Sequence, residues 1–457
     1  RLEDHYGDLA HHYSRSSNTQ KAVEYLHRAG QQAVQRCAYA EAVSHLSTAL
    51  EQLKILPDTL ERAQRELTLQ TAIGPALMAT KGWAAPEVAT TYTRARELCQ
   101  QIGETPQLFP VLHGLCSFHR SRAELQTARA LAEQLLSLAR HAQDSALLLE
   151  AHLQLGFILS WFGEFAPARI HVEQASALYD PQRYRSHIVL YGRDSGVLGL
   201  SILSWILWFL GYPAIARKRM HEMLAVAQDL SHPVSLAMAL FGAVELCRLA
   251  GDTRMAQERA DALIALSTEH GFPVHLAAGT FFRGWALVKQ GHTEEGMAQM
   301  RHGHDAQLAT SAQIGRTPRL TMFADVYRKL GQTEKGLAVV AEALQVVHKT
   351  AAWVLEAELY RLKGELTLQS RAQGSKLQVQ SPEEEAEKDF LKAIEIAQRQ
   401  QAKSLELRAV MSLARLWQQQ GKKEEGRQML AAIYGWFTEG FDTKDLQEAE
   451  ALLKELT

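Results

Sequence analysis

Histidine, the side chain best suited to moving protons or holding a metal near neutral pH, occurs 19 times in this 457-residue sequence. Its spacing does not build a metal centre. His302 and His304 are two apart and His11 and His12 are adjacent, which on a helix puts each pair on different faces, while His113 and His119 lie nearly two turns apart. HEMLA (221–225) lacks the second histidine of a zinc-protease motif, and Cys99 and Cys116 do not have zinc-ribbon spacing. A phosphate-cradling loop needs GxxxxGK[ST]; in QGKKEEG (420–426), Leu416 stands five residues before Gly421 and Lys423 replaces the hydroxyl residue. GVLGLS (196–201) is wrongly spaced for a dinucleotide loop, no GxSxG elbow occurs, and nothing orders Ser, His and Asp into a triad. The residues name no reaction, so no catalytic residue, metal or cofactor is expected in this chain.

Lys plus Arg number 49 and Asp plus Glu 51, a net charge of -2 that argues against a chain coating nucleic acid or anionic membrane. A hydrophobic content of 46% with 22% charged residues belongs to a folded protein. Four cysteines make no disulfide framework and fit a reducing, cytoplasmic compartment. Residues 195–216 hold no charge, but LGYP interrupts them at Gly211–Pro213. Val197 to Leu210 remains, a span fit for a buried helix rather than a membrane crossing. The sequence opens at Arg1, not Met, without a signal peptide, and is expected to be a piece of a longer protein.

A period of about forty residues organises the chain. Gly163, Gly211, Gly251, Gly291, Gly331 and Gly421 stand in short polar turns, and from Gly211 to Gly331 the spacing is 40 three times running. Five residues after each glycine comes a compact residue, such as Ala168 or Gly296, and twelve before that another, such as Gly156 or Gly284. This describes helix A, a left-handed glycine stop, and helix B packed closely against it. Leu155, Leu159 and Phe162 form the stripe of one helix A; Ile170, Ala175 and Leu178 follow on its helix B. Ala10 with Ala22, Gly30 with Ala42, and Cys116 with Ala128 repeat the offset with more drift. Insertions fall near 180–194 and 370–380, the second ending in SPEEE, where Ser381, Pro382 and Glu384 fit a capping box. The expected fold is all-α: one solenoid over 1–457 of about ten helical pairs. Its first hairpins span 1–57, further repeats 58–440, and a capping helix 441–457 with Asp442 or Thr443 as its cap.

The helix pair with its glycine turn and small residues resembles the tetratricopeptide repeat, with helices longer than that family's usual ones. The stretches at 5–53 and 358–456, Trp83 and its surroundings, and the YGWFTEGFDT end resemble the carboxy-terminal region of bacterial proteins. Those proteins join a class III adenylate/guanylate cyclase, or another effector, to a signal-transduction ATPase and then to such repeats. The resemblance implies a right-handed superhelical solenoid serving as the non-catalytic sensing and interaction portion. ATP is then expected only in an upstream domain, and oligomerisation follows from the pairing of cyclase domains. A free-standing scaffold or adaptor is the alternative.

In such solenoids helix A lines the concave face. Taking the neighbour of each small helix-A residue as groove-facing gives Phe157, Trp205, Glu245, Trp285, Asp325 and Glu365; one turn on lie Ser160, Trp208, Arg248, Val288, Arg328 and Leu368. With His113 and Arg120 these make a groove of aromatics, arginines and carboxylates suited to a peptide segment, from another protein or from the chain's own upstream domains. Neither nucleic acid nor membrane is an expected partner.

Overall fold

A computed structural model describes residues 5–103, 105–372 and 381–457. Helix α1 (Tyr6–Ser14) leads into ten helical pairs. The first four are α2 (Thr19–Gln35) with α3 (Tyr39–Leu53), α4 (Leu60–Lys81) with α5 (Pro86–Ile102), α6 (Leu108–Ser121) with α7 (Leu125–Ala142), and α8 (Ser145–Trp161) with α9 (Phe165–Leu178). A short inserted helix, α10 (Arg185–Tyr191), precedes the fifth pair, α11 (Ser195–Phe209) with α12 (Pro213–Leu230). Then come α13 (Pro233–Leu249) with α14 (Thr253–His270), α15 (Pro273–Lys289) with α16 (Thr293–Ala309), and α17 (Arg316–Lys329) with α18 (Thr333–Thr350). The last two pairs are α19 (Glu356–Ala372) with α20 (Pro382–Arg399) and α21 (Lys403–Gln419) with α22 (Lys423–Tyr434), and α23 (Lys444–Leu456) closes the stack. The architecture is the tetratricopeptide-like superhelical solenoid, and no strand occurs among the described residues. None of the described helices is long and apolar enough to cross a membrane.

Most pairs are punctuated twice among the described residues. The turn from helix A to helix B passes through a left-handed residue: Gly163 (φ 75°) and Gly211 (φ 90°), but also Cys37 (φ 59°) and Ala123 (φ 58°) in the early repeats. The turn from B to the next A does the same at Ser231, Gly271, Ser311 and Ala351, again forty residues apart, with a glycine at only one of the four. A side chain there costs about 1–2 kcal/mol of local strain. The packing of whole helices outweighs that cost.

The compact residues sit where backbones nearly touch. A Cβ on Gly284 would stand 2.6 Å from the Gly296 carbonyl oxygen and the Met300 amide nitrogen, and Cys116 Sγ lies 3.4 Å from the Ala128 carbonyl. Leu155, Leu159 and Phe162 are buried as the periodicity predicts. Ile170 is not: it is 57% exposed, because the inward stripe of α9 runs through Phe165, Ala168, Val172 and Ala175. Two capping details differ as well. Ser381 is the N-cap of α20 and Pro382 its first residue, but the serine side chain makes no capping hydrogen bond, so the capping box does not form. Thr443 is the N-cap of α23, yet its hydroxyl donates to the Gly440 carbonyl (2.7 Å) instead of receiving an N–H. Residues 373–380 of the expected second insertion lie outside the described residues.

The superhelix closes on itself about every five pairs. Backbone N–H groups of Gln313 and Ile314 donate to the Ser121 carbonyl at 2.9 and 3.2 Å. The Tyr39 hydroxyl meets His232 Nε2 at 2.8 Å, the Ser404 hydroxyl donates to the Trp208 carbonyl, and Arg408 donates to the Leu249 carbonyl at 2.8 Å. Gly163 and Gly211 of the first turn are therefore doubly required. Gly211 faces Trp436 and Lys403 of the next turn, whereas Gly291, in the last turn, has open space where a side chain would go.

Gly284→Ala should lower stability by about 1–3 kcal/mol, since backbone stands on the far side of the contact. Gly7→Ala, on a helix with open space around it, should be neutral or slightly stabilising. Thermal melting of the two variants checks the helix-pair geometry.

Candidate functional site

The concave face of the first superhelical turn is walled by α6, α8 and α11, and α13 continues that wall into the next turn. The following turn covers it with α15 and the 310–315 connection, whose amides bind Ser121. Between them lies a cavity of about 200 Å³. Its walls are largely aromatic and aliphatic: Trp83, Phe157, Trp161, Trp205 and Phe241 line it with Leu198, Ile202 and Met238. His275 stands edge-on to Trp83, ring centres 5.5 Å apart. Two guanidinium groups, Arg120 and Arg193, share this apolar wall.

The inserted segment supplies one of them. Helix α10 turns inward against α4 and α6 and buries Tyr184, His187, Tyr191 and Arg193. Arg193 Nη2 donates to Glu150 Oε2 at 3.0 Å, and the Ser195 hydroxyl donates to Glu150 Oε1. Burial, the largest single influence, would raise the Glu150 carboxyl, but the Arg193 charge and the neighbouring His113 and His187 rings together outweigh it and hold the group well below the usual carboxylate range. His113 completes the cluster. Gln154 accepts from Arg120 at 2.7 Å through its carbonyl, so its amide nitrogen donates to His113 Nε2 at 2.8 Å. That nitrogen is thus an acceptor, and its 3.3 Å approach to Glu150 is not a donated hydrogen bond. Burial pushes His113 down to about 4, so the ring is neutral at pH 7.

A second lining runs through the later turn, on α13, α15, α17, α19, α21 and α23. It bounds a space of about 350 Å³ with eight basic and five acidic side chains. Partners are shared rather than exclusive. Asp325 takes Lys289 (2.6 Å) and Arg328 (2.9 Å); Glu365 takes Arg328 (3.0 Å) and Arg361 (2.6 Å), plus the Ser412 hydroxyl. Burial pulls Lys289 down to about 8, and its ammonium lies 5.5 Å from the centre of the Trp285 ring.

The groove residues expected from sequence divide between these places. Arg120, Phe157, Trp205 and Glu245 line the aromatic cavity. Arg248, Trp285, Asp325, Arg328 and Glu365 line the charged gallery, with Arg248 paired to Glu245 at 2.8 Å. His113 lies behind the cavity wall, where it braces Gln154. Trp208 lies at the seam between turns, under the Arg408 guanidinium at 4.9 Å. Sequence reasoning missed Glu150, Trp161, Arg193 and His275. Trp161 was within reach, one helical turn after Phe157; Arg193 belongs to an insertion with no counterpart in other repeats.

No family model matches this chain. It is 24% identical over 413 residues to an uncharacterized protein of Rhizobium meliloti (strain 1021), covering 90% of this chain and 39% of that protein. The chain thus spans about two fifths of that relative. Among solved structures it is similar to the Rap protein complexed with competence and sporulation factor, with a TM-score of 0.56, 13% identity, and coverage of 83% of this chain and 98% of that one. The APC/C hetero-tetramer Cut9–Hcn1 matches with a TM-score of 0.52 and 11% identity, over 100% of this chain and 81% of that one. At such identities the likeness is one of fold.

The buried histidines set a pH dependence. Burial holds His113 and His275 near 4, while the unfolded chain titrates them near 6.5. Their contribution to stability is complete above pH 6.5 and is lost as pH falls towards 4, by about 1.4 kcal/mol per pH unit for each. Melting temperature should fall across that window, and His275→Leu should flatten the slope. An unchanged slope in the variant contradicts the assignment.

Proposed function

We propose that this chain is a non-catalytic sensing and interaction module of a larger signalling ATPase, of the kind that also carries a class III nucleotide cyclase. The charged gallery is the observation that carries the interaction half of this reading. Its carboxylates are shared among several cations, and basic groups exceed acidic ones by eight to five. An incoming carboxylate can therefore take over a cation without leaving a buried acid unpaired. The partner that fits is an acidic protein segment, from another protein or from the upstream part of the same polypeptide. The net charge of -2 over the whole chain argues against a surface that coats a phosphate backbone, which favours protein over nucleic acid. The signalling half rests on the resemblance at 5–53 and 358–456 and on a relative far longer than the matched region. ATP belongs to the upstream domain in this proposal, and the setting is the cytoplasm.

A free-standing scaffold is the second reading. The match that spans 98% of the solved Rap chain favours it, because a solenoid of this kind also stands as a chain of its own. Sequencing the coding DNA upstream of the Arg1 codon separates the two. An open frame with a GxxxxGK[ST] loop supports the module; a stop codon followed by a start beside Arg1 contradicts it.

In the parent polypeptide, Arg248→Ala combined with Arg415→Ala should change ATP turnover about tenfold, equivalent to roughly 1.4 kcal/mol of coupling. The melting temperature of the isolated chain should move by less than about 4 °C. ATP hydrolysis by the isolated chain at enzymatic rates would overturn the proposal.

A further inference from the structure

The aromatic cavity is short of acceptors. Arg193 spends Nη2 on Glu150, and its Nη1 has no hydrogen-bond partner; neither has the indole N–H of Trp161 or of Trp205, although all three residues line the cavity. Arg193 is 4% exposed, so water does not satisfy it from outside. Arg120, equally buried, donates to a neutral amide and lies 4.3 Å from the centre of the Phe157 ring, with no carboxylate in contact. Arg193 and Arg120 repel one another, and this adds to burial in drawing the Arg120 guanidinium down to about 10. Across the cavity, Arg319 adjoins Gln307 and Gly315 of the wall and is held by Gln307 and His304, both neutral. Glu150 offsets the Arg193 charge, and Glu245, the carboxylate in the lining, is paired with Arg248 and acts on Arg319 through space, so Arg120 is the guanidinium left without a carboxylate. The wall therefore holds a guanidinium with no carboxylate partner, and buried donors without partners lie just behind its apolar, aromatic surface.

We infer that this cavity is a binding site for a small organic carboxylate with an aromatic or branched apolar body. Its carboxylate accepts from Arg120 and Arg193 and from an indole N–H, and its body packs between Phe157, Trp205 and Phe241. A carboxylate matches the planar guanidinium fork. A single negative charge suits a wall with one near guanidinium left over. A phosphate dianion would bring more charge than this side of the wall neutralises and more hydration than the apolar side would replace. The site is separate from the charged gallery and does not depend on which effector the chain serves. Because successive superhelical turns form its floor and its roof, an occupant ties them together.

The test is calorimetric titration of the full chain at pH 7 with phenylacetate, indole-3-acetate and hexanoate, each beside its neutral primary amide. At least one acid should bind one to one, and its amide at least tenfold more weakly. Arg120→Met should weaken the acid at least tenfold, and Trp205→Phe, which removes the N–H while keeping an aromatic ring, about fivefold. Arg415→Met in the gallery should leave it unchanged. Should Arg120→Met fail to fold, the Trp205→Phe result decides. Binding of none of the acids, equal binding of acid and amide, or loss on Arg415→Met with retention in Trp205→Phe overturns the inference. Those outcomes leave the signalling-module proposal standing, because that proposal is decided by the upstream reading frame.

Discussion

The Ser121 carbonyl, at the end of α6, accepts two backbone N–H groups from the connection that opens the eighth helical pair. Tyr39 with His232, Ser404 with Trp208 and Arg408 with Leu249 repeat that relation along the stack. A solenoid in which each pair touched only its neighbours would leave its concave face open to water. Here the contact between turns encloses that face. It places Trp83 against His275 and brings Gly82 under Val274, so residues nearly two hundred positions apart share one interior. The cavity is a consequence of this closure, since half of its wall comes from each turn.

Closure also sets the electrostatics. A guanidinium on an open concave face keeps its hydration and causes no difficulty; the same group under a second layer of helices needs a partner. Glu150 meets that need for one side of Arg193, with the inserted helix α10 fixing the geometry. Arg120 and Arg319 receive neutral amides and imidazoles instead. In the later turn every lining cation has carboxylates within reach, which is why the gallery is polar and shared while the cavity is apolar and acceptor-poor.

The fold was legible because its repeat writes glycines and small residues at fixed offsets, and packing leaves little freedom there. Where the left-handed stop is Cys37 or Ala123, the same turn exists with no glycine to mark it, so the early repeats read as drifting. The turns between pairs are as regular, but Ser231, Ser311 and Ala351 carry no such mark, since tertiary packing bears the strain. The groove was legible residue by residue: the neighbour rule on helix A found Phe157, Trp205, Trp285 and Asp325, and the step of one turn found Arg328. Their division into two sites was not, because it depends on which turn overlies which. Trp208 obeys the same periodicity yet lies in the seam, a position set by residues two hundred further along. Arg193 was out of reach because it lies in an insertion with no counterpart in other repeats, and Glu150 because its place is fixed by pairing with that residue.

Small-angle X-ray scattering of the isolated chain tests closure most directly. A compact superhelix of 457 residues should give a radius of gyration of about 23 Å, the value for a folded chain of this length. An open stack of ten pairs at roughly 8–10 Å per layer would extend to about 100 Å, with a radius of gyration near 30 Å. The smaller value supports a concave face covered by the next turn, with its buried arginines. The larger one contradicts it and returns the concave face to solvent.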